Sequence, residues 1–263
     1  MPKKMAVTNQ KGGSGKTTSA VNLSCSLSLM EKSVLLVDLD PQANASKRLG
    51  RNEEEYTISN VLTEKKPDIN AAIYPACTSE GPIENLFILP ASADRELAVT
   101  AEQILAKPRR EEILSRVLKR CEKELSRFDY IIIDTNPALS VLTMNALLAA
   151  DEFIIPVNGS ADSYDGSWQT LDTVMELHDL EEYEEVNYRI LRCDIDRRAP
   201  TIVDMTEKLA SAHGERKLFS RFIPKSVKYE KSVALNKPIA VLYPNSAEAK
   251  DYAAIAKEVV ENE

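Results

Sequence analysis

A chain of 263 residues, 43% apolar and 28% charged, can bury a substantial core, a balance that excludes intrinsic disorder and fibrous repeats. Thirty-three Lys and Arg against 41 Asp and Glu give a net charge of −8, which excludes a uniformly basic nucleic-acid coat and leaves a local basic patch as the way to meet DNA. Four cysteines, Cys25, Cys77, Cys121 and Cys193, lie scattered without metal-ligand spacing beside two histidines, and no apolar run nears the ~20 residues that span a bilayer, so a reduced cytoplasmic protein is expected.

The first strand is predicted at Met5–Thr8, leading through a glycine-rich turn into a helix over Lys16–Met30. A second strand at Val34–Asp38 ends in carboxylates. Residues 51–82 are polar and weakly periodic, with Pro75, Gly81 and Pro82 near their end, and read as an irregular excursion. A strand at Leu86–Leu89 precedes helices over Ala93–Ala106 and Arg110–Arg127. Strands at Tyr130–Ile133, Phe153–Val157, Tyr188–Leu191 and Leu218–Ile223 then alternate with helices over Leu139–Ala150, Gly166–Leu180, Ile202–His213 and Ala247–Val260. The near-continuous hydrophobicity of the strands implies burial on both faces. The alternation predicts an α/β fold, a doubly wound, mostly parallel sheet flanked by helices, as one P-loop domain over 1–263.

Three of the eight glycines fall between positions 12 and 15, directly after the first strand and before the first helix. Asn9 and Gln10 lead into Lys11, Gly12, Gly13, Ser14, Gly15, Lys16, Thr17 and Thr18. Glycines let backbone N–H groups converge on phosphate oxygens, and the helix offers its positive end. Lys16 supplies a point charge and Thr17 a hydroxyl for Mg²⁺. Gln10 stands where the generic P-loop pattern has glycine, and Lys11 is an additional lysine. Asp38 and Asp40 lie two residues apart at a strand end, hence on one side of the pleat, and Asp134 ends the strand at Tyr130–Ile133. Carboxylates there border the ligand crevice of an open α/β sheet. One would hold Mg²⁺, and one near a terminal phosphate would orient an attacking water.

These segments, with Thr143 to Pro156 and a weaker echo at Phe222 to Pro238, resemble the ParA/Soj family of deviant Walker partition ATPases along nearly the whole chain. The resemblance implies a Mg²⁺-dependent ATPase whose ATP state is a nucleotide-sandwich homodimer. Lys11 would reach the partner's phosphates, Lys16 those of its own subunit, and Thr17, Asp38 and Asp134 would serve the metal. Asp40 would position the hydrolytic water, and Pro224 would contact adenine. The ATP dimer would bind DNA without sequence preference, and a ParB-type centromere-binding partner would stimulate slow hydrolysis, in a cytoplasmic, nucleoid-associated cycle of plasmid or chromosome partition. With no helix-turn-helix ahead of the P-loop strand, no sequence-specific repressor role is expected. Two positions depart from the family pattern. Asn136 precedes Pro137 where a double proline is common, and Ser160 stands for a glutamate, so a contact to Lys11 would fall to Asp162 or Asp165.

Residues 214–237 hold Arg216, Lys217, Arg221, Lys225, Lys228, Lys231 and Lys237 against Glu215 and Glu230, a basic island in an acidic chain. Arg221, Lys225, Lys228, Lys231 and Lys237 are the candidate DNA contacts. The run Lys107–Arg127 mixes basic residues with glutamates at helical spacing and reads as a salt-bridged surface. Trp168 and Tyr164 are expected in core packing, and His178 and His213 at the surface. Two rivals remain. A MinD-like membrane-positioning ATPase needs a basic amphipathic C-terminal helix, whereas Ser246 to Glu263 is acidic with an apolar stripe suited to the core, so no membrane partner is expected. A P-loop enzyme acting on a small metabolite would be accelerated by that metabolite and not by DNA.

Overall fold

A single sheet of seven strands runs through the computed structural model, which describes residues 1–51, 53–92, 96–195 and 201–261. The strands are β1 (Lys3–Val7), β2 (Val34–Leu39), β3 (Tyr74–Thr78), β4 (Gly81–Leu89), β5 (Tyr130–Thr135), β6 (Glu152–Val157) and β7 (Tyr188–Arg192). Their order is β3-β4-β2-β5-β1-β6-β7, and all neighbours are parallel except β3 and β4. The helices are α1 (Lys16–Ser28), α2 (Asn44–Arg48), α3 (Ile58–Thr63), α4 (Glu96–Leu105), α5 (Ile113–Arg120), α6 (Glu122–Leu125), α7 (Val141–Ala149), α8 (Ala161–His178), α9 (Thr201–His213), α10 (Val227–Ala234), α11 (Ile239–Leu242) and α12 (Ala247–Glu261).

Each apolar strand feeds two cores because successive side chains point to opposite faces. In β2, Val34 and Leu36 join the core under α1 and α12, while Leu35, Val37 and Leu39 join the core under α5, α7 and α8. In β5, Tyr130 and Ile132 divide from Ile131 and Ile133 in the same way. From β1 the chain crosses over β5 to β2, and later returns to β6 and β7 on the other side. This change of direction opens a crevice beyond the C-terminal ends of β1, β2 and β5, where α/β sheets bind ligands.

The structure departs from the sequence expectations at four places. Residues 51–82 hold α3 and β3 in place of an irregular excursion. Thr57 caps α3, accepting from the Ser59 amide while its own amide donates to Asn60 Oδ1. β3 is an antiparallel edge strand with a bulge between Pro75 and Cys77, so its one proline, Pro75, costs no central ladder bond. The segment expected as a strand at Leu218–Ile223 forms no strand: Leu218 makes an isolated bridge to Ile190 of β7, and the Phe219 and Ile223 amides donate singly to Ile190 O and Arg192 O. Arg192 takes its carbonyls instead, donating to Phe219 O and Ser220 O. The helix expected over Arg110–Arg127 breaks into a 3-10 turn, α5 and α6. Among the described residues, the run Lys107–Arg127 forms little of the expected salt-bridged surface. Arg109 pairs with Glu112, but Lys107 and Arg120 donate to backbone carbonyls around the end of α3, and Arg127 lies over Phe87 and Phe128. The first three residues expected in the helix Ala93–Ala106 lie outside the described residues.

His213, expected at the surface, is buried. Its ring stacks on Trp168 at 4.2 Å and its Nδ1 meets the Tyr188 hydroxyl at 3.2 Å, whereas Nε2 is buried without a partner. Burial pushes its pKa from 6.5 down to about 4. The neutral ring is therefore the form that folding favours, and its contribution is complete above the ordinary pKa and lost as pH falls toward 4. His213→Phe keeps the stack and removes the titration. Its melting temperature is expected to fall less than the wild type's between pH 7 and pH 4, by about 3–5 °C. Parallel pH profiles of the two melts would contradict this role.

Candidate functional site

The loop after β1 is fixed by its own side chains. Asn9 is fully buried and donates through Nδ2 to Pro156 O at 2.8 Å and Ser163 O at 3.1 Å, while its Oδ1 accepts from the Lys11 amide at 2.8 Å. Gln10 docks the loop onto α8, its amide donating to Thr170 Oγ1 and its Nε2 to Thr173 Oγ1 and Gln169 O. The position that departs from the generic P-loop pattern is thus a clamp between loop and helix. Gly166 permits the approach, because a Cβ there would stand 2.4 Å from Asn9 Oδ1. Gly13 at φ 75° and Gly15 at φ 98° occupy the left-handed region that favours glycine, and Gly15 opens α1.

Lys16, the first residue of α1, is only 6% exposed, and its Nζ donates to Lys11 O at 2.9 Å. Burial lowers its pKa against the attraction of Asp134 and Asp40, so it is a desolvated cation facing carboxylates. Asp38 and Asp134 are direct neighbours across β2 and β5. Their environments differ. Asp38 Oδ1 accepts from the Asp40 amide and Oδ2 from both the amide and hydroxyl of Ser46, so Asp38 anchors α2 and has few lone pairs left for a metal. Burial raises its pKa to about 6 against those bonds. Both oxygens of Asp134 are buried with no hydrogen bond at ordinary distance. Burial and the Asp38 charge push its pKa well up, and the nearby Thr17 hydroxyl offsets part of this. Asp40 is nearly buried, and its Oδ1 accepts from the Gln42 amide at 2.9 Å, which fixes the carboxylate's direction.

The Lys11 ammonium meets Asp162 in the first turn of α8 at 2.6 Å, so of Asp162 and Asp165 it is Asp162 that takes the contact within one chain. Ser160 instead caps α8, accepting from the Ser163 amide. The Thr143 hydroxyl lies within hydrogen-bond distance of both Asn136 Oδ1 and Ala138 O, its single hydrogen serving one or the other, and so pins the loop after β5.

A cleft of about 200 Å³ opens beside the loop, walled by Gly13, Ser14, Gly15 and Thr18 on one side and by Pro224 and Lys225 on the other. Open space lies over Gly12 and Gly13, and the Ser14 hydroxyl is buried without a partner. Orphaned carboxylate oxygens on Asp134, the adjacent Thr17 hydroxyl and a buried ammonium form an oxygen-donor set that fits Mg²⁺ beside phosphates. Gly166 and Arg48, which donates to Thr18 Oγ1 at 3.1 Å, join this site without having been singled out from the sequence, and Asn9 and Gln10, named there as part of the loop, join it with no role assigned. Only Gln10 carried a signal, as a departure from the motif.

The basic island divides. Lys228 on α10 pairs with Glu248 at 2.9 Å and Lys237 with Glu80 at 2.6 Å. Arg221, Lys225 and Lys231 are exposed.

The family model described as an AAA domain, AAA_31, matches residues 2–186. The chain is 34% identical over 264 residues to the sporulation initiation inhibitor protein Soj of Bacillus subtilis, covering 100% of both. It is 30% identical to the chromosome partitioning protein ParA of Caulobacter vibrioides, covering 98% of this chain and 94% of that one. Among solved structures, the septum site-determining protein MinD of Pyrococcus horikoshii with Mg-ADP superposes with a TM-score of 0.77 at 25% identity, covering 98% of this chain and 96% of the other.

Proposed function

The chain belongs to the ParA/MinD family of P-loop ATPases, and from that premise we propose that it is a Mg²⁺-dependent ATPase whose ATP-bound homodimer binds DNA without sequence preference and drives plasmid or chromosome partition at the nucleoid. One observation carries the DNA part. The nucleotide cleft and the exposed cations share a wall, since Pro224 and Lys225 line the cleft and α10, which follows at once, presents Lys231. A nucleotide in the cleft would thereby set the position of the basic edge.

The roles of the site residues follow from their placement. Gly12, Gly13, Ser14, Gly15 and Thr18 receive the phosphates on backbone and hydroxyl donors, and Lys16 meets them as a desolvated charge. Thr17 and Asp134 hold Mg²⁺, with Asp38 behind them as the anchor of α2. Bound there, the metal would supply positive charge against the developing charge of the phosphates. Asp40, fixed by Gln42, orients the attacking water. Lys11 leaves Asp162 to reach the phosphates of a second copy. A ParB-type DNA-bound partner completes the cycle by stimulating hydrolysis. The membrane alternative is weakened by α12, whose Ala249, Tyr252, Ile255, Ala256 and Val259 are spent on the core beside α1 and leave no apolar face for lipid.

The test is a charge reversal. Arg221→Glu with Lys231→Glu, two exposed cations that do not line the cleft, is expected to weaken ATP-dependent binding to random-sequence duplex at least tenfold, to flatten its dependence on salt, and to leave ATP affinity unchanged. An unaltered salt slope would remove this surface from the proposal.

A further inference from the structure

One cation at the nucleotide site lies outside the P-loop motif. Arg48 ends α2, is half-buried, and loses pKa to burial against the attraction of Asp134, Tyr252 and Asp38. Its Nη1 donates to Thr18 Oγ1 at 3.1 Å. We propose that Arg48 is a positioning residue for nucleotide binding, which orients the Thr18 hydroxyl as a donor toward the phosphates and adds a further positive charge at the site. The proposal rests on the reading of the cleft as a nucleotide site.

The chemistry of the pair sets the direction of the hydroxyl. A guanidinium has donors only, so Thr18 must accept, and its single hydrogen is left for an acceptor in the cleft that Thr18 lines. The acceptor suited to it is an anionic oxygen, because a hydroxyl polarised by a cation donates more strongly.

Both partners are held rigidly. Thr18 O accepts from Asn22 Nδ2 at 2.8 Å, and Asn22 Oδ1 accepts from the Ile239 amide at 2.7 Å, tying the first turn of α1 to α11. α2 is tied to the sheet through Ser46 on Asp38 and through Leu49 O, which accepts from the Cys77 amide at 2.9 Å. Arg48 therefore reaches Thr18 from a fixed base, as a preorganised contact requires.

Charge points the same way. Asp38, Asp40 and Asp134 converge at the ends of β2 and β5, so an incoming polyphosphate meets three carboxylates, with Lys16 and Arg48 as the desolvated cations set against them. An arginine needed only to neutralise those carboxylates would affect folding stability and leave nucleotide affinity alone.

A double-mutant cycle separates the two roles. ADP and ATP with Mg²⁺ are titrated calorimetrically into the wild type, Arg48→Met, Thr18→Val and the double variant, and each protein is melted without nucleotide. Arg48→Met and Thr18→Val are each expected to weaken binding about tenfold, and the double variant to be no weaker than the poorer single one. Arg48→Lys, which keeps a charge and a donor, is expected to stay within about threefold of the wild type. If Arg48→Met does not melt cooperatively, Arg48→Gln takes its place in the cycle. Affinity within twofold of the wild type in the Arg48 variant, or losses that multiply in the double variant, would overturn the proposal while leaving the nucleotide site intact. A wild type that binds neither nucleotide would overturn the functional reading and this inference together.

Discussion

Lys16→Ala is expected to weaken ATP and ADP binding at least a hundredfold and to abolish every nucleotide-dependent property of the chain. The ammonium is buried and desolvated, so its attraction to phosphate is not screened by water as a surface lysine's would be. Its hydrogen bond to Lys11 O also closes the loop on itself, and alanine removes that clasp together with the charge. The fold should survive. Burial already disfavours the charged lysine, and the loop keeps its bonds from Asn9 and Gln10 to β6 and α8. Calorimetric titration, with a melt to confirm folding, checks this. A folded Lys16→Ala protein that binds ATP within threefold of the wild type would place the phosphates elsewhere.

Asp40→Ala is expected to separate binding from chemistry. Asp40 follows β2 without joining the Asp38 and Asp134 pair in the sheet register, and its carboxylate direction is set by the Gln42 amide. An aligned carboxylate that accepts a hydrogen bond from the attacking water contributes about 10²–10⁴ in rate. ATP hydrolysis should fall by that factor, ATP affinity should change less than about threefold, and ATP-dependent DNA binding should persist longer because the bound state no longer decays. A phosphate-release assay beside the same calorimetric titration tells these apart. Wild-type turnover in the variant would remove Asp40 from the chemistry.

Much of this architecture could be read from residue order, because strands buried on both faces show themselves as unbroken apolar runs. β2 and β5 were legible in this way, as was the loop whose glycines crowd between positions 12 and 15. β3 was not, since an edge strand with one antiparallel neighbour has partial burial and tolerates proline. The segment at Leu218–Ile223 looked like a strand because it is apolar, but Phe219 and Ile223 owe their burial to packing beside β7, and Arg192 competes for its carbonyls.

The candidate site shows the same division. That Lys16, Asp40 and Asp134 come together could be read from the strand ends and the loop that carry them. The difference between Asp38 and Asp134 could not. Whether a carboxylate is an anchor or an open ligand depends on Ser46, eight residues along the chain and folded back onto it. Likewise Arg48 reaches Thr18 across thirty positions, and Gly166 meets Asn9 only once α8 has packed on the loop. Charge spacing marked the basic island but could not show that Lys228 and Lys237 are paired with Glu248 and Glu80.

The central claim is that ATP switches this chain into a DNA-binding dimer, and the most direct test is a titration of random-sequence duplex without nucleotide, with ADP, and with ATP plus Mg²⁺, at two salt concentrations. Binding confined to the ATP state, and falling steeply as salt rises, is the result predicted here. Equal affinity in all three states, or no binding in any, would contradict it.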